Sequence, residues 1–212
     1  MELSEAIRRR RMVRSYHPDR AVPDAMVDSL LHNAIRAPSA GFSQGWDFLV
    51  LREPSAVDAF WAATTAPDEE IDSWLRGMRD APVLIVCLSD KQTYLDRYAE
   101  PDKGWTDRDE ARWLVPYWDV DTGMAAMLML LTAVDEGLGS CFFGVEPARH
   151  DHVRAAFAIP ADRTPVGVLS IGYAAPDRPS PSLKRGRRGL DQVAHEGRFG
   201  TPYGSGRAPD GP

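Results

Sequence analysis

The chain has 212 residues and a formal net charge of -6, with 43% hydrophobic and 26% charged residues. These values are typical of one globular domain and argue against a disordered chain or a nucleic-acid-binding domain, which would usually be basic. The longest uncharged apolar run, residues 122–134, is too short to span a bilayer, so we expect no membrane insertion.

Hydrophobic spacing predicts six helices and four strands, in an α+β domain with one sheet between helices. The helices are predicted at residues 3–10, 24–37, 54–63, 69–79, 117–136 and 147–157. The strands are predicted at residues 46–51, 82–88, 139–145 and 165–173. Ser4 is a possible cap of the first helix, and residues 89–115 are predicted to be irregular. We expect a single domain over 1–198 and a disordered Gly/Pro-rich tail over 199–212.

The helix predicted at 117–136 is apolar nearly all the way round. Asp121 and Thr122 are interpreted as its cap, and Gly137 closes it. A helix without a polar face must be buried on every side. It therefore lies either at the centre of an obligate dimer or in the core of a monomer.

Positive charge is concentrated in two distant segments of this acidic chain. Residues 8–20 hold six arginines against one aspartate, and residues 178–188 hold five basic residues and no acid. Two interpretations stay open: solvated charged faces, or two segments that converge on one small anion such as a phosphate. Arginine suits the second role because its planar fork makes bidentate hydrogen bonds to phosphate oxygens.

The stretch APSAGFSQGWDF, residues 37–48, forms a predicted turn between a helix and a strand. Its backbone amides and the hydroxyl of Ser39 could bind a polar heterocycle or a ribityl chain. A simple connection between two elements is the alternative.

Six large aromatic residues lie among many acids between residues 89 and 118. They are Tyr94, Tyr98, Trp105, Trp113, Tyr117 and Trp118. They could form a lid over a flat substrate, or they could cover the apolar surface of a dimer.

Other candidate groups carry less chemistry. Asp151 lies between His150 and His152, but no third ligand is in sight, so we predict no metal site. Cys87 and Cys141 both lie in apolar runs, which indicates buried free thiols and a reducing, cytoplasmic location. No apolar stretch follows the first arginines, so no secretory signal is expected.

Four segments resemble, in order and spacing, the motifs of the nitroreductase family of FMN-dependent oxidoreductases. They are RRMVRSY at 10–16, APSAGFSQGW at 37–46, EGLGSCFFGV at 136–145, and the strand VGVLSIGY followed by KRGRRGLDQV at 184–193. The resemblance implies a mixed, mainly antiparallel sheet flanked by helices in an intertwined homodimer. The family pattern has Ser, Asn and Pro where this chain has Met12, Phe42 and Gly45.

The resemblance implies that both basic segments close on the FMN phosphate, which would explain the charge distribution. The Pro38-Ser39-Ala40 turn is expected to contact the flavin of the partner subunit, and the backbone near Gly144 and Val145 is expected to face N5 and O4 of the ring. The implied FMN contacts are Arg10, Arg11, Met12, Arg14, Pro38, Ser39, Ala40, Phe42, Gln44, Phe142, Phe143, Gly144, Val145, Lys184, Arg185 and Arg187.

The resemblance also implies the reaction: NADPH or NADH delivers a hydride to flavin N5, and a nitroaromatic, quinone or similar flat small-molecule acceptor then takes the electrons in ping-pong order. No side chain is implied as a catalytic group, since solvent can supply protons. Two alternatives remain. One is a specialised flavin-dependent dehydrogenase or oxidase of a biosynthetic pathway, and the other is a non-catalytic protein that sequesters FMN.

Overall fold

A computed structural model describes residues 1–66 and 68–205. Its contacts divide the chain into two compact units, Met1–Asp177 and Arg178–Pro212. The strands of the first unit are β1 (Trp46–Leu51), β2 (Val83–Asp90), β3 (Gly139–Phe143) and β4 (Arg163–Gly172). Its α-helices are α1 (Leu3–Arg9), α2 (Asp24–Ala34), α3 (Pro54–Thr64), α4 (Ser73–Arg79), α5 (Lys91–Ala99), α6 (Tyr117–Asp135) and α7 (His150–Phe157). In the second unit, the 3-10 helix Pro181–Arg185 precedes α8 (Leu190–Val193).

The four strands form one sheet in the order β1-β2-β4-β3, and every neighbouring pair is antiparallel. Strand β2 is buried along its whole length, as expected for the apolar run VLIVCLSD at the middle of a sheet. Helices cover the sheet, which confirms the predicted α+β class with a mainly antiparallel sheet.

Alternate residues of β2 belong to two separate hydrophobic clusters. Ile85 and Cys87 pack in a cluster with residues of α2 and α6, whereas Leu84 and Val86 pack with residues of α3, α4 and α7. Because successive strand side chains point to opposite faces, this division places a helical layer on each face of the sheet.

Helix α6 starts at residue 117 as predicted, but its cap and the burial of one face differ from the prediction. It begins at Tyr117 after Pro116, so Asp121 is not a cap but a buried residue of the second turn. Gly137, at φ 73°, follows its C-terminus as predicted. Met124 and Met127 are 43% and 44% exposed, so the helix is not buried on every side within one chain.

Other element boundaries also differ from prediction. Residues 89–115 are not wholly irregular, because they contain α5, whose first turn is capped by Asp90. Helix α4 begins at Ser73 rather than at residue 69, because Asp72 caps it. Ser4 lies inside α1 and does not cap it. The predicted strand at 139–145 ends at residue 143.

The predicted tail is only partly described. Residues 199–205 form turns, with a bridge between His195 and Pro202, and residues 206–212 lie outside the described part. The domain boundary at 198 stays a prediction. Within residues 1–66 and 68–205, no helix combines the length and apolar content needed to cross a membrane.

The buried Gly77 of α4 lies against the backbone of the arginine segment. A Cβ atom at this position would lie 2.2 Å from the carbonyl oxygen of Arg14. We expect Gly77→Ala to destabilise the fold by about 1–3 kcal/mol, because the obstructing atom belongs to backbone and cannot rotate away. Urea unfolding followed by circular dichroism measures this.

Ser73→Ala, an exposed change in the same helix, is the matched control and should leave the unfolding midpoint nearly unchanged. An unaltered midpoint for Gly77→Ala would show that α4 does not pack against the arginine segment as described.

Candidate functional site

The first basic segment runs along the edge strand β3. Met12 forms a parallel bridge with Ser140, and the Val13 N–H donates to the Ser140 carbonyl oxygen over 2.9 Å. Tyr16 closes the segment, because its buried hydroxyl bonds the Val13 carbonyl at 2.8 Å. The arginines of this segment are therefore held at a fixed place on the sheet edge.

The three predicted arginines have different surroundings. The Arg14 backbone N–H donates to Asp177 Oδ2 over 2.9 Å, and its Nη1 donates to the Met12 carbonyl over 3.2 Å. Arg11 is more exposed, and its Nη1 lies 3.4 Å from the same Asp177 oxygen. Arg10 Nη1 is buried and has no hydrogen-bond partner among the described residues. A buried cationic donor without a partner is costly, so Arg10 suits an anionic ligand.

Asp177 was not found from the sequence. Its carboxylate, which is only 10% exposed, accepts the Arg14 backbone N–H and pairs with the Arg11 guanidinium. It forms no such contact with Arg10 among the described residues. Local sequence around Asp177 does not indicate this role, because the hydrogen bond to Arg14 joins residues that are 163 apart in sequence.

The predicted turn after α2 has an unusual backbone. Gly41, Phe42 and Gln44 have φ angles of 63°, 57° and 54°, in the left-handed region that favours glycine. Phe42 is 74% exposed. The Ser39 hydroxyl oxygen accepts the Gln44 N–H over 3.0 Å, so its own proton remains available for donation. Pro38 lies exposed at the start of the turn.

The amide of Ala40 is already engaged within the chain. It donates to Asp121 Oδ2 over 2.8 Å, so this predicted flavin contact cannot also donate its N–H to a ligand without giving up that bond. Asp121 was misread from the sequence as a helix cap. The signal that could have found it is a carboxylate inside an otherwise apolar helix.

The segment EGLGSCFFGV at residues 136–145, called the glycine segment below, offers backbone rather than side chains to a ligand. The Phe142 N–H lies 3.4 Å from Met12 Sδ, and the Phe142 ring packs over Gly167. The Phe143 ring stacks on Trp61, with centroids 5.7 Å apart and planes inclined by 7°. Both phenyl rings thus pack into the protein, on opposite faces of the sheet.

Gly144 follows the end of β3 and is exposed. A Cβ atom there would meet no other atom within 4 Å, so packing inside the chain does not require a glycine. The position suits the close approach of a ligand to the backbone of Gly144 and Val145.

A groove of about 230 Å³ begins beside this backbone. Three aromatic rings contribute to its walls: Trp74 meets Phe143 edge to face at 6.0 Å, and Trp61 stacks on the same ring. Glu69 and Glu146 line it as well. Its walls suit a flat apolar ligand better than an anionic one.

The second basic segment lies in the second unit. Lys184 and Arg185 end the 3-10 helix Pro181–Arg185, and Gly186 at φ 68° separates them from Arg187. All three basic side chains are exposed. Their convergence with Arg10 on one phosphate stays a prediction.

The aromatic residues of 89–118 form a closed cluster. Trp113 is at its centre, 4.6 Å from Tyr98, 5.6 Å from Trp105, 5.9 Å from Trp118 and 6.0 Å from Tyr94. The cluster packs against the turn after α2, since Tyr98 covers Gly41 and Tyr94 covers Gly45. Within the chain, these rings support that turn.

The other candidate groups named from the sequence, His150, Asp151 and Cys141, make contacts within the chain. His150 Nε2 lies 3.2 Å from the Val145 carbonyl, and Asp151 pairs with Arg154. No group of three or more potential metal ligands occurs within residues 1–66 and 68–205. Burial raises the pKa of the Cys141 thiol, and the neighbouring Arg14 only partly opposes this shift. The thiol is therefore protonated at neutral pH and is a poor nucleophile.

Solved structures of similar fold support this architecture. A protein from Desulfovibrio desulfuricans, provisionally called a nitroreductase and crystallised in complex with FMN, is 26% identical, with a TM-score of 0.68 over 94% of this chain and 98% of that one. A nitroreductase family protein from Streptococcus pneumoniae has a TM-score of 0.70 over 92% of this chain and 100% of that one. At 21% identity, the second likeness concerns the fold alone.

Sequence comparison finds relatives with nitroreductase or NADH dehydrogenase names. A protein from Methanothermobacter thermautotrophicus, provisionally named NADH dehydrogenase/NAD(P)H nitroreductase, is 29% identical over 177 residues, which cover 82% of this chain and 78% of the relative. An NADH dehydrogenase from Thermus thermophilus is 27% identical over 82% of this chain and 88% of its own length. The sequence pattern of the Nitroreductase family matches residues 7–173. The chain belongs to the Nitroreductase family.

Proposed function

We propose that this chain is an FMN-dependent NAD(P)H oxidoreductase that reduces a nitroaromatic, quinone or similar flat acceptor. The observation that carries the proposal is the buried Arg10 Nη1, a cationic donor without a partner among the described residues, in the segment that resembles the family's phosphate-binding motif. The FMN bound to the Desulfovibrio desulfuricans relative and the NAD(P)H named for the Methanothermobacter relative support the choice of cofactors.

The residues fit FMN at both ends of the molecule. Arg10 would bind the phosphate, with Arg11 and Arg14 beside it. Met12 reaches the Phe142 amide at 3.4 Å, so the phosphate end adjoins the segment that leads to Gly144. The backbone of the exposed Gly144 and of the neighbouring, half-buried Val145 would face the ring edge, where N–H groups stabilise negative charge on the reduced flavin.

FMN, when bound, would supply the two-electron chemistry at N5 that links hydride donation by NAD(P)H to reduction of the acceptor, with solvent as the source of protons. This chain would contribute binding and orientation. The aromatic groove beside Gly144 supports a flat acceptor, and its glutamates disfavour a highly anionic one. The buried thiols Cys87 and Cys141 and the need for NAD(P)H support a cytoplasmic location.

The direct test is the visible spectrum of the purified protein, followed by anaerobic addition of NADPH or NADH. We expect a yellow protein whose FMN bands bleach within seconds. A yellow protein that stays oxidised with both nucleotides would contradict the enzymatic proposal and favour an FMN-sequestering role. A colourless protein that cannot be loaded with FMN would overturn the proposal altogether.

Arg10→Ala tests the phosphate contact. We expect the FMN dissociation constant to rise at least about tenfold, or about 1.4 kcal/mol, because a charge-assisted hydrogen bond is lost. Quenching of FMN fluorescence on titration measures the affinity. Arg8→Ala, an exposed change in α1, is the matched control and should bind FMN like the unmodified protein. Equal affinities for the two variants would rule out Arg10 as a phosphate ligand.

The active form is proposed to be a homodimer built on α6. Met124 and Met127 are exposed, and Leu128 and Leu131 line a groove of about 270 Å³ with Leu3 of α1. An apolar face of this kind on a helix is unfavourable in water, and a second copy would bury it. The dimer also brings the turn after α2 to the partner's flavin, as the family resemblance implies.

Met127→Glu tests the proposed dimer. We expect monomers, with the dimer dissociation constant raised at least roughly tenfold, because a carboxylate would have to be buried without a partner. Sedimentation velocity measures the mass, and the monomer should also lose bound FMN. Ala156→Glu on α7, an exposed change on the opposite face of the sheet, should remain dimeric. A dimeric Met127→Glu would place the interface elsewhere.

A further inference from the structure

We propose that Asp121 is a positioning residue whose carboxylate fixes the turn of residues 38–45 in the conformation that meets the flavin. The inference rests on the proposed function, since that function places this turn at the cofactor of the partner subunit. It also assigns a role to α5 and its aromatic cluster, which would hold the same turn from its other side.

The Asp121 carboxylate is buried and accepts hydrogen bonds from the turn and from α5. It is 3% exposed, and one oxygen, Oδ2, accepts both the Ala40 N–H at 2.8 Å and the Tyr94 hydroxyl at 2.7 Å. A buried carboxylate is retained at a high desolvation cost, so its donors must be well placed. An apolar residue at this position of α6 would avoid that cost, and the carboxylate is therefore explained by the two donors it holds.

The turn needs such support because its backbone is strained. Phe42 and Gln44 both have positive φ angles, at 57° and 54°, and neither is a glycine. Left-handed residues of this kind persist only where the surroundings enforce them. Phe42 cannot supply the support, because its side chain is 74% exposed.

Helix α5 and Asp90, the last residue of β2, contact the carbonyl groups and glycines of the turn. Arg97 Nε donates to the Gly41 carbonyl over 2.9 Å, and the Asp90 N–H donates to the Gly45 carbonyl over 3.0 Å. A Cβ atom at Gly41 would lie 2.7 Å from the Tyr98 ring, and one at Gly45 would lie 2.5 Å from the Tyr94 ring. The contacts leave room for glycine only.

Tyr94 joins the two supports. Its ring covers Gly45 from α5, while its hydroxyl donates to Asp121 on α6. Burial, and the hydrogen bond to Asp121, raise the pKa of the Tyr94 phenol well above its ordinary value. The phenol therefore stays a donor throughout the physiological pH range, and the geometry of the network does not change with pH through this group.

The experiment compares Asp121→Ala, Asp121→Asn and Thr122→Val. Both donors share one oxygen, so the amide oxygen of Asn can accept both, whereas Ala leaves both unpaired. Thr122 is equally buried in α6, but its hydroxyl bonds only the Trp118 carbonyl of its own helix, which makes it the matched control.

Hydrogen exchange of the FMN-free protein is measured first, on peptides that cover residues 38–45. We expect Asp121→Ala to accelerate exchange of this turn at least about tenfold, because the Ala40 amide loses its acceptor. Asp121→Asn and Thr122→Val should exchange there like the unmodified protein. Unchanged exchange of the turn in Asp121→Ala overturns the inference, and so does acceleration in Asp121→Asn equal to that in Asp121→Ala.

FMN titration of the same variants then links the turn to the cofactor. We expect Asp121→Ala to bind FMN roughly tenfold more weakly and Asp121→Asn to restore the affinity. A faster-exchanging turn with unchanged FMN affinity would overturn the role in cofactor binding. If the unmodified protein binds no FMN at all, the proposed function fails, while the exchange result still decides whether Asp121 fixes the turn.

If Asp121→Ala does not fold, Tyr94→Phe replaces it. This variant keeps the ring on Gly45 and removes one of the two donors to Asp121. We expect exchange of residues 38–45 to rise about threefold, since the carboxylate is less firmly placed. Exchange equal to that of the unmodified protein would then overturn the inference.

Discussion

The pairing of Met12 and Val13 with Ser140 determines where the candidate site lies. It fastens the arginine segment to the edge of the sheet, and Gly77 packs against the same segment from α4. Because the pairing is parallel, Arg10 and Arg11 lie toward the start of β3, whereas Gly144 follows the end of the same strand. One edge strand thus carries the cationic segment along its first residues and leads to the exposed Gly144 at its end.

The same arrangement explains how an acidic protein carries a dense basic segment. The arginines are not equivalent, since Asp177 binds the Arg14 amide and lies near Arg11, while Arg10 Nη1 has no partner among the described residues. The internal carboxylate orders the segment and limits repulsion between its guanidinium groups. An anionic ligand would therefore gain most from Arg10.

The sequence predicted the strands well and the polar contacts poorly, for a physical reason. Apolar runs such as that of β2 identify buried strands locally, but α5 is mostly polar, so periodicity did not reveal it. The family resemblance predicts that the arginines, the turn and the glycine segment contribute to one site, which stays a prediction. It could not show that Asp121 binds the Ala40 amide, because that bond joins residues 81 apart and depends on how α6 packs.

Phe42 connects the strained turn to the proposed dimer. The family pattern has Asn at this position, and Asn tolerates left-handed backbone better than a bulky aromatic residue does. In this chain the aromatic ring is 74% exposed, and the backbone is held by Asp121 and Arg97 instead of by the residue itself. A large apolar side chain that is solvent-exposed at a costly backbone angle gains nothing within one chain. The proposed dimer would give this ring a contact with the partner subunit or its flavin.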